Sequence, residues 1–226
     1  MSSFILKIIA CISMLIDHTG HILFPHTKIL GYIGRLAFPI FAFQITEGYI
    51  HTKDVRKYLL RLLLLAIISQ IPFSLAFQKD ELYLNTVFTL FLGLLGLTIY
   101  NKNKTIGILY IIIATIMTSF INFDYGKIGI ILIFCFYIFR DKKALLISSF
   151  LILFAYLYWM HIPEHKTYYW TTERLVNYYI PYYVSTLFAI PILLKYNKKE
   201  GPKIKNFYYI FYPVHLLVLV IIKYFI

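Results

Sequence analysis

The chain has 226 residues, of which 60% are hydrophobic and only 14% are charged. Soluble domains carry about 25% charged residues, so this composition excludes a soluble globular domain. The net charge of +12 is compatible with nucleic-acid binding, but the lysines and arginines lie in short gaps between apolar runs, where membrane topology accounts for them. We therefore expect a membrane protein with no nucleic-acid partner.

The apolar runs predict about nine membrane-spanning helices. A spanning helix needs roughly 20 largely apolar residues, because the hydrocarbon core is about 30 Å thick. The runs do not alternate between apolar and polar positions, as the strands of a membrane β-barrel do. We expect an all-α, polytopic transmembrane bundle that forms a single domain over residues 1–226. The predicted spans are residues 4–24, 30–50, 58–77, 86–100, 105–121, 126–139, 144–161, 178–194 and 206–225.

Loop charges predict the orientation of these spans. The loops after the second, fourth, sixth and eighth spans carry thirteen lysines and arginines, and the other loops carry five. Positively charged loops remain in the cytoplasm, so the N-terminus is predicted to be cytoplasmic and the C-terminus to lie outside. The longest outer segment, residues 161–179, is predicted to be an aromatic interfacial belt or a cap over an outward cavity.

The two cysteines and the histidines show no metal-binding spacing. Cys11 and Cys135 lie inside apolar runs and are far apart in the sequence. We expect both to be free thiols that pack in the protein interior, and we expect no metal site.

Four ionisable residues near the outer ends of the first two spans are the best candidates for chemistry, because ionisable groups inside a membrane are costly. Asp17 and His21 share a helix face, His18 is adjacent, and Arg35 lies near the outer start of the second span. An imidazole can accept a proton from an attacking amine or hydroxyl, and a guanidinium can stabilise an oxyanion. The alternative is a structural Asp–Arg ion pair with the histidines as hydrogen-bond partners between helices.

Five other polar residues lie at membrane depth: Gln44, Glu47, Gln70, Asn85 and His215. All but Gln44 are predicted to have a structural role. Glu47 is expected to pair with a loop lysine. Gln70 is expected to satisfy backbone groups that Pro72 frees. Asn85 is expected to cap the fourth span, and His215 to bond a carbonyl that the proline before it frees.

Several of these residues belong to motifs that resemble the TraX family. The resemblance covers most of the chain and is strongest in the first hundred residues. The motifs are Met14-Leu15-Ile16-Asp17-His18-Thr19-Gly20, Gly34-Arg35-Leu36-Ala37-Phe38-Pro39, Glu47-Gly48, Ser69-Gln70-Ile71-Pro72-Phe73, Asn85 with Phe88-Thr89-Leu90, and Phe211-Tyr212-Pro213-Val214-His215.

The resemblance implies an integral-membrane acetyltransferase of the bacterial inner membrane. The family's namesake N-acetylates the amino terminus of a conjugative pilin subunit, and larger related acyltransferases depend on an intramembrane His and Arg. By this resemblance, His18 is the expected base and Arg35 the oxyanion or CoA partner. Asp17 would orient them, and His215 would be a catalytic or supporting residue, whereas the role of His21 stays open.

The expected reaction moves an acetyl group from cytosolic acetyl-CoA to an amine or hydroxyl of a peptide, protein or glycan at the outer side. The thioester is already activated, so direct attack needs no covalent enzyme intermediate. Lys53, Arg56 and Arg61 are expected to bind the CoA phosphates. A small proton-coupled transporter that uses the buried Asp, His, Arg and Glu residues is the alternative, and a noncatalytic membrane scaffold is a third. The sequence does not fix the oligomeric state.

Overall fold

The structure is a computed structural model. It describes residues 1–78, 83–144, 146–147, 150–151, 180–202, 204 and 207–226. The chain divides into two compact units: unit 1 is Met1–Phe41 with Asp141–Lys203, and unit 2 is Ala42–Arg140 with Ile204–Ile226. Most of the predicted span 144–161 and all of the outer segment 161–179 lie outside the described residues. The single-domain prediction stays a prediction.

The described part of the chain is predominantly helical, as predicted. In chain order, the helices are α1 (Ser3–Leu23), α2 (Lys28–Gly34), α3 (Ala37–His51), α4 (Val55–Phe77), α5 (Thr86–Lys102), α6 (Lys104–Met117), α7 (Gly126–Ile138), α8 (Ile180–Leu187), α9 (Ala189–Leu194) and α10 (Phe207–Phe225). Two short strands, β1 (Tyr83–Leu84) and β2 (Asn122–Phe123), pair in parallel.

Four stretches of the described chain are long and apolar enough to cross a membrane: Ser3–Leu23, Lys28–His51, Val55–Phe77 and Phe207–Phe225. Large apolar side chains on their surfaces, such as Leu60 on α4 and Ile221 on α10, remain exposed. Water would oppose such a surface, whereas lipid chains cover it at no cost. These observations define an α-helical membrane protein. The number of nine spans and the orientation of the termini stay predictions.

The second predicted span, residues 30–50, is interrupted. α2 ends at Gly34 and α3 begins at Ala37. Pro39 has no N–H and cannot bond the carbonyl of Arg35, but a proline is tolerated in the first turn of a helix. The break therefore falls at Arg35 and Leu36, and it places Arg35 at a helix end and not within a helix.

Within unit 1, α1 is held at its first turn and along its C-terminal half. The N–H groups of Ser3 and Phe4 donate to the carbonyls of Lys199 and Glu200 at 2.8 and 2.9 Å, so two of the donors that a helix N-terminus leaves unpaired are satisfied. Farther along, α1 packs closely on α2. A Cβ added at Gly20 would lie 2.7 Å from Cβ of Leu30, and this approach requires glycine.

Unit 2 is joined by side-chain contacts between α3 and α7. The rings of Phe43 and Phe136 meet edge to face at 5.6 Å, and Thr46 donates a hydrogen bond to the carbonyl of Ile133 at 3.3 Å. α4 begins at the N-cap Asp54, which accepts from the backbone N–H of Lys57 at 3.0 Å. This bond lowers the pKa of the Asp54 carboxyl.

Asn85 caps α5 as predicted, but Gln70 does not have the predicted role. The Asn85 side chain accepts from Val87 N–H at 3.0 Å and donates to the carbonyl of Ala66 at 2.8 Å. Gln70 donates to the carbonyl of Tyr83 and accepts from the backbone and side chain of Asn85. It thus binds the chain that enters α5, because the chain passes next to it there, and not the carbonyl that Pro72 frees.

Candidate active site

Asp17 and Arg35 form an ion pair in unit 1. Asp17 lies on α1, and Arg35 lies at the break after α2. Nη2 of Arg35 donates to both carboxylate oxygens of Asp17, each at 3.0 Å. The two side chains are only 15% and 13% exposed, so the charges are largely shielded from solvent and interact more strongly than a surface pair.

Gly34 makes this pair possible. A Cβ at Gly34 would lie 2.1 Å from Oδ1 of Asp17 and 2.2 Å from its Cβ, distances that real atoms do not adopt. Only glycine allows α2 to approach α1 this closely. The backbone therefore brings the next residue, Arg35, within reach of the carboxylate. The motif Gly34-Arg35 was recognised in the sequence, but sequence spacing alone did not reveal that the glycine permits the close approach of the two helices.

The two histidines near Asp17 differ in exposure. His21 is 43% exposed; its Nδ1 lies 2.9 Å from the backbone carbonyl of Asp17 and 3.7 Å from the carboxylate. A carbonyl can only accept, so Nδ1 of His21 carries a proton. His18 is buried. The structure thus brings Asp17, Arg35 and His21 together, and the prediction that His18 and Arg35 face one cavity stays a prediction.

A second ion pair lies in unit 2. Arg140 donates from Nε and Nη2 to the two carboxylate oxygens of Glu47, at 2.6 and 3.1 Å, and Nε2 of His51 lies 3.6 Å from the carboxylate. Glu47 is 2% exposed. The predicted loop-lysine partner was wrong: an arginine at the end of α7 provides two parallel donors, which match a carboxylate better than the single ammonium of a lysine.

His215 lies buried on α10 in unit 2. Its Nδ1 lies 2.7 Å from the carbonyl of Phe211, and its ring stacks on that of Phe211 with centroids 4.8 Å apart. The carbonyl that Pro213 frees is that of Tyr209, so the predicted partner was wrong: the imidazole bonds one turn back along its own helix. Because Nδ1 carries the proton, Nε2 is the basic nitrogen of the neutral ring.

The cations predicted to contact CoA lie at the start of α4 in unit 2. Lys53 is in the loop before α4, and Arg56 and Arg61 lie in its first two turns; all three are exposed. Among the described residues, no group of three or more His, Cys, Asp or Glu side chains could hold a metal ion. Cys11 and Cys135 are free thiols.

These observations define the class of protein. It is an α-helical membrane protein with a carboxylate–guanidinium pair at the break of its second apolar stretch. The sequence matches the family model described as "TraX protein" over residues 2–223, and the chain belongs to that family.

Two curated relatives cover almost the whole chain. The chain is 28% identical to the "Probable fimbrial assembly protein FimC, serogroup H1" of Dichelobacter nodosus, over 96% of this chain and 94% of the relative. It is 27% identical to an uncharacterised protein of Rickettsia prowazekii (strain Madrid E), over 95% of this chain and 89% of the relative. No solved structure matches the chain.

Proposed function

We propose that the chain is a membrane acyltransferase that moves an acetyl group from acetyl-CoA to an amine or hydroxyl acceptor. The shielded Asp17–Arg35 pair, with the buried His18 next to it on α1, is the observation that carries this proposal. Membership of the TraX family supports it. A relative named as a fimbrial assembly protein supports a pilin-like peptide as the acceptor, and a glycan is the second choice.

In the proposed reaction, His18 takes the proton of the acceptor while the acceptor nitrogen or oxygen attacks the thioester carbon. The new bond to the acyl carbon forms, the carbon–sulfur bond breaks, and CoA leaves as a thiolate that receives the proton. Arg35 stabilises the negative charge that develops on the carbonyl oxygen. Asp17 holds the guanidinium in place through Nη2, which avoids the cost of orienting it during the reaction.

The proposal also assigns roles to the residues expected to bind the acyl donor, CoA, and to His215. Lys53 and Arg56, exposed at the start of α4, are proposed to contact the phosphates of CoA as charged donors. His215 is proposed to support the reaction through its basic Nε2.

The protein is proposed to be a multi-pass protein of the bacterial inner membrane, with Lys53 on the cytoplasmic side. Labelling of a cysteine at position 53 by an impermeant reagent in intact cells would contradict that orientation.

The test measures acetyl transfer by purified protein from radiolabelled acetyl-CoA to a synthetic peptide with a free amino terminus. An N-formylated peptide of the same sequence is the acceptor control. We expect His18→Ala to lower the rate by about 10²–10⁴-fold. Arg35→Lys should lower it similarly, because lysine keeps the charge but loses the planar fork. His26→Ala, at an exposed histidine in the loop after α1, is the matched control and should leave the rate unchanged.

Two outcomes would count against the proposal. Full activity in a well-folded His18→Ala variant would remove the base. If purified protein bound no acetyl-CoA, and Asp17→Ala lowered only the folded yield while His18→Ala changed nothing, the Asp17–Arg35 pair would be structural, since truncation then leaves a shielded charge without its partner.

A further inference from the structure

One exposed stripe along α4 carries two cations at one end and apolar side chains beyond them. The residues of the stripe are separated by four, three, four, three and four positions in the sequence, so they lie on one side of the helix. The stripe consists of Lys57, Arg61, Leu64, Ile68, Ile71 and Leu75. Ile68 and Ile71 are 62% and 70% exposed, whereas Leu62 and Ala66 on the opposite face are buried. Lipid covers the outward face of such a helix in a membrane protein.

Arg61 lies where the apolar part of α4 begins. Leu62–Phe77, the rest of the helix, contains no charged residue. At 1.5 Å per residue this segment is about 24 Å long, somewhat shorter than a hydrocarbon core about 30 Å thick. The guanidinium of Arg61 is thus placed near the boundary of that core, and its long side chain can extend to the phosphates of the headgroup layer. Lys57 lies one turn farther toward the headgroups.

The charged groups of the stripe are available to a ligand. Arg61 has no hydrogen-bond or carboxylate partner among the residues that the structure describes. Lys57 pairs with Asp54 at 3.4 Å but keeps a side chain that is 80% exposed. Tyr58 and Tyr209 lie near Arg61, and tyrosines are enriched at the headgroup level of a bilayer.

We propose that this stripe of α4 is a binding site for an anionic phospholipid. Arg61 and Lys57 hold the headgroup phosphate, and the acyl chains lie along Leu64, Ile68 and Leu75. Two cations favour an anionic lipid over a zwitterionic one, because the phosphate of a zwitterionic headgroup is already neutralised by the ammonium group of the same lipid. The sequence predicted that Arg61 binds the phosphates of CoA. Its position on the lipid-covered face of α4 favours binding to a lipid phosphate instead.

The test places a fluorescent reporter within the stripe. Trp159 and Trp170 are replaced by phenylalanine, and Leu64→Trp introduces one tryptophan on the outward face. The protein is reconstituted into phosphatidylcholine vesicles that contain either brominated phosphatidylglycerol or brominated phosphatidylcholine, and the quenching of the tryptophan gives the relative binding of the two lipids. Ile68→Trp is the second reporter if the first variant does not fold.

We expect the phosphatidylglycerol to quench more strongly, and Arg61→Gln to reduce the preference for it by about fivefold, since one cation near a membrane surface contributes about 1 kcal/mol. Lys104→Gln, which removes one charge from the start of α6, is the matched control and should leave the preference unchanged. Equal quenching by the two lipids, or a preference that survives Arg61→Gln, would overturn the proposal. So would a loss of acetyl-CoA binding in Arg61→Gln with the lipid preference intact, which would assign Arg61 to the acyl donor.

Discussion

Replacing Gly34 with alanine should separate α1 from α2 and weaken the Asp17–Arg35 pair. The new methyl group would lie 2.2 Å from Cβ of Asp17, whereas carbon atoms in contact are about 3.5–4.0 Å apart. Both Cβ positions are fixed by the backbone, so no rotamer of Asp17 relieves the overlap. The two helices must therefore move apart locally by more than about 1 Å, and the carboxylate moves away from the guanidinium.

The expected cost follows from three contributions. Overpacking of this kind costs about 1–3 kcal/mol. A charge-assisted hydrogen bond contributes about 1.5–3 kcal/mol, and we take the lower end because both side chains keep some exposure, 15% and 13%. Alanine regains up to about 1 kcal/mol through its higher helix propensity. The net loss is about 1.5–4.5 kcal/mol, which lowers the melting temperature of a chain of this size by about 3–18 °C.

Thermal unfolding of the purified protein in detergent, followed by size-exclusion chromatography of the soluble fraction, measures the loss. Gly96→Ala is the matched control, because the nearest atoms to its new Cβ lie 3.2–3.3 Å away in the side chains of Ile111 and Tyr110. Asp17→Gly removes the opposing Cβ, so in the Gly34→Ala background it should cost less than it does alone. Strictly additive effects of the two changes, or a Gly34→Ala variant as stable as wild type, would refute this account of the α1–α2 contact.

Two further predictions concern unit 2. Asn85→Ala should lower stability by about 2–4 kcal/mol in the same assay, because it removes an N-cap and two side-chain donations, to the carbonyl of Ala66 and to Oε1 of Gln70. Asn85→Ser keeps a capping oxygen without burying a charge and should lose about half as much; equal losses in the two variants would contradict a separate contribution from the cap. Glu47→Ala leaves the guanidinium of Arg140 without its carboxylate and should cost about 2–4 kcal/mol, below the cost of breaking a fully buried pair because Arg140 is 19% exposed. The double variant Glu47→Ala/Arg140→Leu should regain part of that loss, and additivity of the two changes would show that the pair is not coupled.

Much of the candidate site followed from local sequence spacing. Asp17 and His21 share a face of α1 because they are four residues apart. Arg35 was placed near the same end of the second span, and the two helices are joined by a short turn, so the partner of Asp17 was predictable. The capping role of Asn85 was predictable for a similar reason, since it immediately precedes an apolar run.

The partners of Glu47 and Gln70 were not predictable in this way. Glu47 is 93 positions from Arg140 in the sequence, and several cations in other loops were equally available to it. Gln70 lies close to Pro72 in sequence, which suggested a local role, yet it bonds Tyr83 and Asn85, which lie next to the start of α5. Such pairings depend on how helices pack.

The sequence alone determined that the chain is a helical membrane protein of the TraX family, because hydropathy, helix length and short motifs are local properties of the chain. It also identified the Asp17–Arg35 pair. Only the tertiary structure decided that Arg140 neutralises Glu47, that Gly34 permits the contact of α1 with α2, and that Arg61 lies on an outward face of α4. Each of these depends on distances between helices and on which face of a helix its neighbours cover, and no single segment of the sequence contains that information.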